Sequence, residues 1–217
     1  MGREDREDSC TPIILLLLFL LLVFEIIAWD WWRHGPSSQL DVMILRHTGR
    51  LVAGRPWISG AISLGGILGQ SFFLGTLVVC GGIFLARKKD WPGLSLLLIV
   101  VILGHLLVEP LQSWFHRPRP LPDLAGAQGF SFPSGSAYLA AVVYGALAFL
   151  AATHTSKWWV KGALWLGALT ATLLAGMSRL GLCLYWFTDI LGAYALACSW
   201  LLLNFLVYRK MRPKLRP

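Results

Sequence analysis

The sequence predicts an all-α protein built as a single bundle of six membrane-spanning helices. Hydrophobic residues make up 56% of its 217 residues, and the mean hydropathy is +0.64, which is too apolar for an ordinary water-soluble domain. A helix needs roughly 20 apolar residues to cross the hydrocarbon core of a bilayer. Stretches long enough to do so lie at 12–30, 60–86, 93–114, 135–153, 159–177 and 187–207.

The first apolar stretch is expected to be a retained membrane anchor. The segment before it, Arg3 to Asp8, is more acidic than basic, and no small-x-small cleavage site follows, so the features of a signal peptide are missing. Lysine and arginine gather on one side of the bundle, at 87–89, at 157–161 and from Arg209 onward. Because basic loops stay inside, this side and both termini are predicted to face the cytoplasm.

The predicted organisation is one membrane domain at 12–207, after a cytoplasmic segment at 1–11 and before a basic cytoplasmic tail at 208–217. The net charge of +8 is spread over loop ends, which argues against a nucleic-acid partner and favours anionic lipid headgroups. The cysteines lack metal-ligand spacing, so neither a metal site nor a disulfide is predicted. The four cysteines are Cys10, Cys80, Cys183 and Cys198.

A short amphipathic helix is predicted between the first two spans. Ser38, followed three residues later by Asp41, offers a helix start, and apolar residues then share one face, with Arg46 and Arg50 opposite. Such a helix is typical of the outer membrane surface. A helical cap packed over a site is an equal alternative, because periodicity alone does not separate the two.

The third apolar stretch carries a polar stripe. His105, Glu109, Gln112 and His116 recur at i, i+4, i+7 and i+11 and therefore share one face of a helix. Ionisable groups at membrane depth usually face a bundle interior or a wet cavity. Two interpretations stay open: a structural pair of His105 with Glu109, or residues that line an access path or replace a catalytic group.

Three polar segments at the non-cytoplasmic ends of the predicted spans indicate a phosphate site. They are Arg117-Pro118-Arg119-Pro120, Pro133-Ser134-Gly135-Ser136, and Ser178-Arg179 followed ten residues later by Asp189. Arginine forks and the amides at a helix N-terminus suit a phosphate dianion.

These segments resemble the three motifs of the type 2 phosphatidic acid phosphatase and vanadium haloperoxidase superfamily, written K-x6-R-P, P-S-G-H and S-R-x5-H-x3-D. The resemblance covers about residues 40–207 and implies a phosphatidic-acid-phosphatase-like helical bundle. It also implies that Arg119, Ser134, Gly135 and Arg179 hold a phosphoryl group, with Arg117 matched less securely.

The sequence departs from the family at three reactive positions. Gln112 stands at the lysine position, Ser136 replaces the histidine that protonates the leaving oxygen, and Tyr185 replaces the histidine that attacks phosphorus. Asp189 matches the aspartate that orients the attacking histidine. Phenols are protonated near neutral pH and serine is no general acid there. In the family, vanadate bonds to the histidine replaced by Tyr185, so no cofactor is expected.

The motifs therefore predict a non-hydrolytic relative of membrane lipid phosphatases, which binds a phosphorylated lipid or acts as a membrane subunit or scaffold. One alternative is an active lipid phosphatase or phosphotransferase in which His116, Glu109 or Tyr185 has taken over a displaced role. A second alternative is a lipid carrier or scramblase that uses the polar stripe. The expected partners are the membrane and a phosphorylated lipid, and a protein partner or a homo-oligomer is left open.

Overall fold

The computed structural model describes residues 4–34, 38–53, 55–121 and 129–211, which form eight helices. The prediction of an all-helical protein is confirmed for this part of the chain. The predictions on residues 1–3 and on residues 212–217 lie outside it. The helices are α1 Glu4–His34, α2 Gln39–Ala53, α3 Pro56–Leu68, α4 Ser71–Arg87, α5 Trp91–Phe115, α6 Gly135–Thr153, α7 Trp158–Gly181 and α8 Phe187–Met211.

Membrane crossing is supported for most of these helices. Five of the described helices, α1, α5, α6, α7 and α8, are long and apolar enough to span a bilayer, and the number rises to six if the bent pair α2 and α3 is one span. The shorter α4 is apolar but has 17 residues. The chain is therefore an integral membrane protein of five or six spans by length and composition.

The predicted span at 60–86 is wrong as a single helix. The described chain breaks at Gly69 and Gln70, where α3 ends and α4 begins. The Gly69 carbonyl accepts a hydrogen bond of 2.9 Å from Arg179 Nη2 of α7, so it is engaged outside its own helix. A contact between distant segments interrupts an apolar run that hydropathy alone reads as continuous.

Helix α6 forms the centre of the bundle and packs against α5, α7 and α8. Eleven of its residues are buried, and small side chains let neighbouring helices come close. A Cβ atom added at Gly145 would lie 2.5 Å from Leu201 Cδ1 of α8. Because α5 and α7 end where α6 and α8 begin, the motif residues meet at one end of the bundle.

Helix α2 packs against α3, α7 and α8. Its predicted start is confirmed, since the Asp41 amide donates to Ser38 Oγ at 3.2 Å. Met43, Arg46 and His47 are exposed, whereas the Asp41 side chain is completely buried. This inward carboxylate favours the alternative of a cap packed on the motif region.

The polar stripe of α5 is only partly directed inward. Gln112 is half-buried and its Nε2 donates to the Pro133 carbonyl at 2.9 Å. His105 and Glu109 are exposed, and in the described chain no hydrogen bond joins them. The interpretation as a structural His105–Glu109 pair is therefore wrong, because both side chains point away from the bundle interior.

Candidate active site

Hydrogen bonds join the three motif segments. The Ser131 amide donates to the Arg117 carbonyl at 2.8 Å, and the Ser134 amide donates to the Asp189 carbonyl at 3.1 Å. Arg119 Nη1 donates to the Leu184 carbonyl at 3.2 Å. Each pair of segments is thus joined directly, which fixes the ends of α5, α6, α7 and α8 around one site.

Arg119 lies over Tyr185. Its Cζ atom is 4.5 Å from the centroid of the phenol ring, and its Nη2 donates to Tyr185 Oη at 3.3 Å. Its Nε donates to the Gly129 carbonyl at 3.2 Å. The guanidinium is held on three sides and places a positive charge beside the phenol oxygen.

Arg179 supplies a second cation. One of its nitrogens is committed to Gly69, while its buried Nε has no hydrogen-bond partner in the described chain. Arg179 is close enough to interact electrostatically with both Arg119 and Tyr185. The two positive charges repel each other in this partly buried environment, and an anion bound between them would relieve the repulsion. Two neighbouring guanidinium groups therefore favour anion binding.

The start of α6, which the Ser134 amide joins to Asp189, carries further donors. Ser134 stands at the N-cap but makes no side-chain cap bond, so the unpaired amides of the first turn remain available. The buried hydroxyl oxygens of Ser134 and Ser136 have no partner in the described residues. A Cβ added at Gly135 would lie 3.2 Å from Val108 Cγ1, so glycine lets this turn approach α5.

The three unpaired atoms share the ability to donate a hydrogen bond. Ser134 Oγ, Ser136 Oγ and Arg179 Nε can each donate a hydrogen bond, and buried polar atoms in proteins are almost always paired. A ligand rich in acceptor oxygens would satisfy them. Phosphate fits this donor set, since charge-assisted bonds from arginine and helix amides to its oxygens are short and strong.

Arg117 occupies a different environment from Arg119. Its Nη2 lies 2.6 Å from Asp41 Oδ2 and its Nη1 lies 2.7 Å from Asp189 Oδ1. Its side chain is 2% exposed, and the rings of Trp31 and Trp186 flank the guanidinium. The predicted phosphate ligand is therefore engaged by two carboxylates of the protein itself.

Asp189 is also engaged away from the predicted partner. Its Oδ1 accepts from Arg117, and its Oδ2 accepts from the Trp186 amide at 2.9 Å. The hydroxyl of Tyr185 instead contacts Arg119. The expected orienting contact from Asp189 to the residue at the nucleophile position is thus replaced by contacts to the backbone and to Arg117.

The predicted surrogate residues lie at the edge of the site. His116 caps α5 in the left-handed conformation with φ of 50° and is exposed, with its ring 4.5 Å from that of Phe130. Glu109 is exposed about two turns before His116 on α5. Neither has a hydrogen bond to Arg119 or Arg179 in the described chain.

Cys183 is a further nucleophilic side chain in the site region. Burial raises the pKa of the Cys183 thiol above its ordinary value, which lowers the fraction of reactive thiolate. Among the described residues, no group of three or more His, Cys, Asp or Glu side chains could hold a metal ion. Among the three altered motif positions, Tyr185 is the one whose side chain contacts a candidate phosphate-binding arginine, Arg119.

Sequence reasoning missed Asp41 as a site residue. It marked Asp41 only as part of a helix start, because its partners Arg117 and Thr188 lie 76 and 147 positions away along the chain. The one available signal was a carboxylate in an otherwise basic and apolar amphipathic segment. Such a residue needs a buried cation if its face packs inward.

Comparison with known proteins now identifies the family. The chain is 34% identical over 204 residues to phosphatidylglycerophosphatase B of Bacillus subtilis, covering 90% of this chain and 92% of that protein. It belongs to the PAP2 superfamily, in the branch of membrane lipid phosphatases. A crystal structure of a transmembrane PAP2-type phosphatidylglycerolphosphate phosphatase from Bacillus subtilis superposes with a TM-score of 0.75 at 29% identity, covering 92% of this chain and 97% of that one. No protein-family model matches the chain.

The relationship corrects the functional prediction. A non-hydrolytic protein was expected from three motif positions, but the similarity to a protein named as a phosphatase extends over nearly the whole PAP2 chain. The finding favours the alternative of an active lipid phosphatase, and the prediction of a pseudoenzyme is wrong in its light. Replacing the general acid and the nucleophile leaves the arginines and helix amides in place, and such electrostatic stabilisation is often the largest catalytic contribution.

Proposed function

We propose that this PAP2 protein is a membrane lipid phosphatase that hydrolyses a phosphomonoester of a glycerophospholipid. The observation that carries the proposal is the set of buried, unpaired donors beside two arginines, in a chain homologous to a phosphatidylglycerophosphatase. Phosphatidylglycerolphosphate is the first candidate substrate, because the relatives are named for it. Its terminal phosphate carries the acceptor oxygens that these donors lack.

The phosphate is proposed to sit between Arg119, Arg179 and the start of α6. Arg179 Nε and the hydroxyls of Ser134 and Ser136 would gain partners there, and the backbone amides that follow Ser134 would complete the set. Gly135 lets this turn lie against α5. Arg117 is assigned a positioning role instead, since both of its flanking partners are carboxylates.

Tyr185 is the proposed nucleophile. Its Oη would form a bond to phosphorus as the bond from phosphorus to the lipid oxygen breaks, and the phenol proton would pass through water to the departing alkoxide. Water would then hydrolyse the phosphotyrosine and release inorganic phosphate. Arg119, 3.3 Å from Oη, stabilises the negative charge that develops on this oxygen. Ser136 can donate a hydrogen bond to the departing group but is no proton source near neutral pH.

The orientation in the membrane is proposed from charge. At the end of the bundle opposite to the site lie the basic residues Arg87, Lys88, Lys157, Lys161 and Arg209. The positive-inside rule puts this end in the cytoplasm, so the site would face the opposite leaflet. We count α4 as the sixth span, because its 17 residues reach the lower limit for crossing a bilayer.

Phosphate release from purified protein in detergent tests the proposal. Phosphatidylglycerolphosphate, phosphatidic acid and an isoprenyl diphosphate would be compared, and turnover is expected for the first. Arg179→Ala and Tyr185→Phe should each abolish it. The matched control is Tyr194→Phe on α8. It likewise removes a tyrosine hydroxyl, here one that donates to the Thr172 carbonyl, but it lies away from the site.

Several results would count against these assignments. Wild-type protein without turnover on all three lipids would overturn the phosphatase proposal. Turnover that survives Tyr185→Phe but disappears in His116→Ala would reject the tyrosine as nucleophile and transfer the role to the histidine. Trapping of a phosphorylated protein by acid quench, followed by mapping of the phosphate to Tyr185, would support the covalent step directly.

A further inference from the structure

The first turn of α8 receives its cap from another helix. The residue before the helix is Trp186, and its indole can donate but cannot accept a hydrogen bond from the backbone. The Thr188 amide donates instead to Asp41 Oδ1 of α2 at 3.0 Å. The Asp189 carboxylate accepts from the Trp186 amide at 2.9 Å, as the reciprocal half of a capping box does. Asp41 thus supplies, from outside, the acceptor that Trp186 lacks.

Arg117 connects the two carboxylates that serve this helix end. It donates to Asp41 at 2.6 Å, to Asp189 at 2.7 Å and to Thr188 Oγ1 at 2.8 Å. Thr188 Oγ1 in turn donates to Asp41 Oδ2 at 2.7 Å. Both carboxylates are 0% exposed. Because an unpaired buried charge is strongly disfavoured, removal of one member disturbs the others.

Close to this network in the sequence lie Tyr185, the proposed nucleophile, and Arg119, which contacts the tyrosine. Trp186 follows Tyr185 directly, and its Nε1 donates to the Pro118 carbonyl at 2.9 Å. Pro118 joins Arg117 to Arg119, the arginine that contacts Tyr185. Arg119 and Tyr185 are therefore both positioned by contacts to the buried network of Arg117 and its two carboxylates. Helix α2 contributes Asp41 to this network.

We propose that Asp41 is a positioning residue that assembles the active site when α2 is docked on the ends of the motif helices. With Asp41 in place, the first turn of α8 is capped and Arg117 is neutralised, so Tyr185 and Arg119 hold their relative geometry. Without it, the helix start frays and the phenol shifts against the arginine. The expected effect of Asp41 on turnover rests on the proposed phosphatase function, whereas its role as the cap of α8 does not.

The test uses the full-length protein in lipid nanodiscs, with Asp41→Ala, Asp41→Asn and the control Met43→Ala on the exposed face of the same helix. In Asp41→Ala, kcat is expected to fall about a hundredfold, the effect of roughly 1 Å of misplacement at a reacting centre, with KM changed much less. Asp41→Asn keeps an oxygen that can accept from the Thr188 amide, so it should fold and retain part of the activity.

Hydrogen exchange followed by mass spectrometry separates positioning from general destabilisation. Peptides that cover 183–190 should exchange faster in Asp41→Ala, while peptides from the centre of α6 should stay unchanged. Equal loosening of both regions would mean that Asp41 only stabilises the fold, and wild-type exchange at 183–190 together with wild-type kcat would overturn the proposal.

The two proposals fail in different ways. If wild-type protein releases no phosphate from any lipid, the phosphatase function is rejected, yet exchange at 183–190 still decides whether Asp41 caps α8. If wild-type protein is active and Asp41→Ala keeps both its kcat and its exchange pattern, the positioning role is rejected while the phosphatase function stands. If the alanine variant does not fold, kcat and hydrogen exchange at 183–190 are compared between wild type and Asp41→Asn instead.

Discussion

Arg179 offers a direct measure of the phosphate site. Its Nη2 is engaged by Gly69, and its buried Nε has no protein partner, so one charge-assisted hydrogen bond to a bound phosphate is expected from Nε. Such a bond contributes about 1.5–3 kcal/mol net. At 1.4 kcal/mol for each factor of ten, Arg179→Ala should weaken binding by about 10- to 150-fold.

The assay is binding of a short-chain phosphatidic acid to protein in detergent, measured with wild type, Arg179→Ala and Arg179→Lys. Lysine keeps the charge but lacks the fork, so its affinity should fall between the other two. Arg46→Ala, which removes an exposed arginine from α2, is the control for the overall charge. Equal affinities in wild type and Arg179→Ala would refute the reasoning, since the unpaired Nε would then have no bearing on the ligand.

Three further predictions concern the buried ions, the helix packing and the altered motif positions. Arg117→Met leaves Asp41 and Asp189 without their shared cation and should destabilise the protein by about 3–5 kcal/mol, seen as earlier thermal unfolding; unfolding unchanged from wild type would contradict the ion-pair account. Gly192→Ala places a Cβ 2.6 Å from Phe132 Cε2, whereas Gly162→Ala meets nothing within 4 Å; the first should lose about 1–3 kcal/mol and the second should be neutral or gain up to about 1 kcal/mol. Combined reversion of Gln112→Lys, Ser136→His and Tyr185→His should raise phosphate release above wild type, while no single reversion should do so, because catalytic groups that act as a unit are not additive; a folded triple variant without activity would mean that the pocket has been rebuilt.

The helices were predictable because hydrophobicity is a local property of the chain. The spans near α5, α6, α7 and α8 follow from apolar runs of sufficient length, and the start of α2 follows from Ser38. The break between α3 and α4 does not, since it coincides with a contact between Gly69 and Arg179 across 110 positions. No local pattern distinguishes such a carbonyl from its neighbours.

The meeting of the motif segments at one end of the bundle was predictable, but the contacts that each of their residues makes were not. Arg117 and Arg119 look equivalent in the sequence Arg117-Pro118-Arg119-Pro120, yet one meets two carboxylates and the other meets Tyr185. The difference arises from Asp41, whose burial depends on how α2 packs. The functional prediction rested on three motif positions, whereas the similarity that corrected it extends over 90% of the chain.

The first helix contributes side chains to the surroundings of the motif segments. The motif segments begin only after residue 110, but Trp31 of α1 flanks the Arg117 guanidinium and its Nε1 donates to the Phe115 carbonyl at 3.2 Å. Phe24 of the same helix stacks on Phe132 at 5.5 Å. A shortened chain that starts at α2 would keep every motif letter and yet lose one wall around its buried cation. Sequence motifs therefore underestimate the portion of the chain that surrounds this site, and a shortened protein made to test the proposed activity should retain α1.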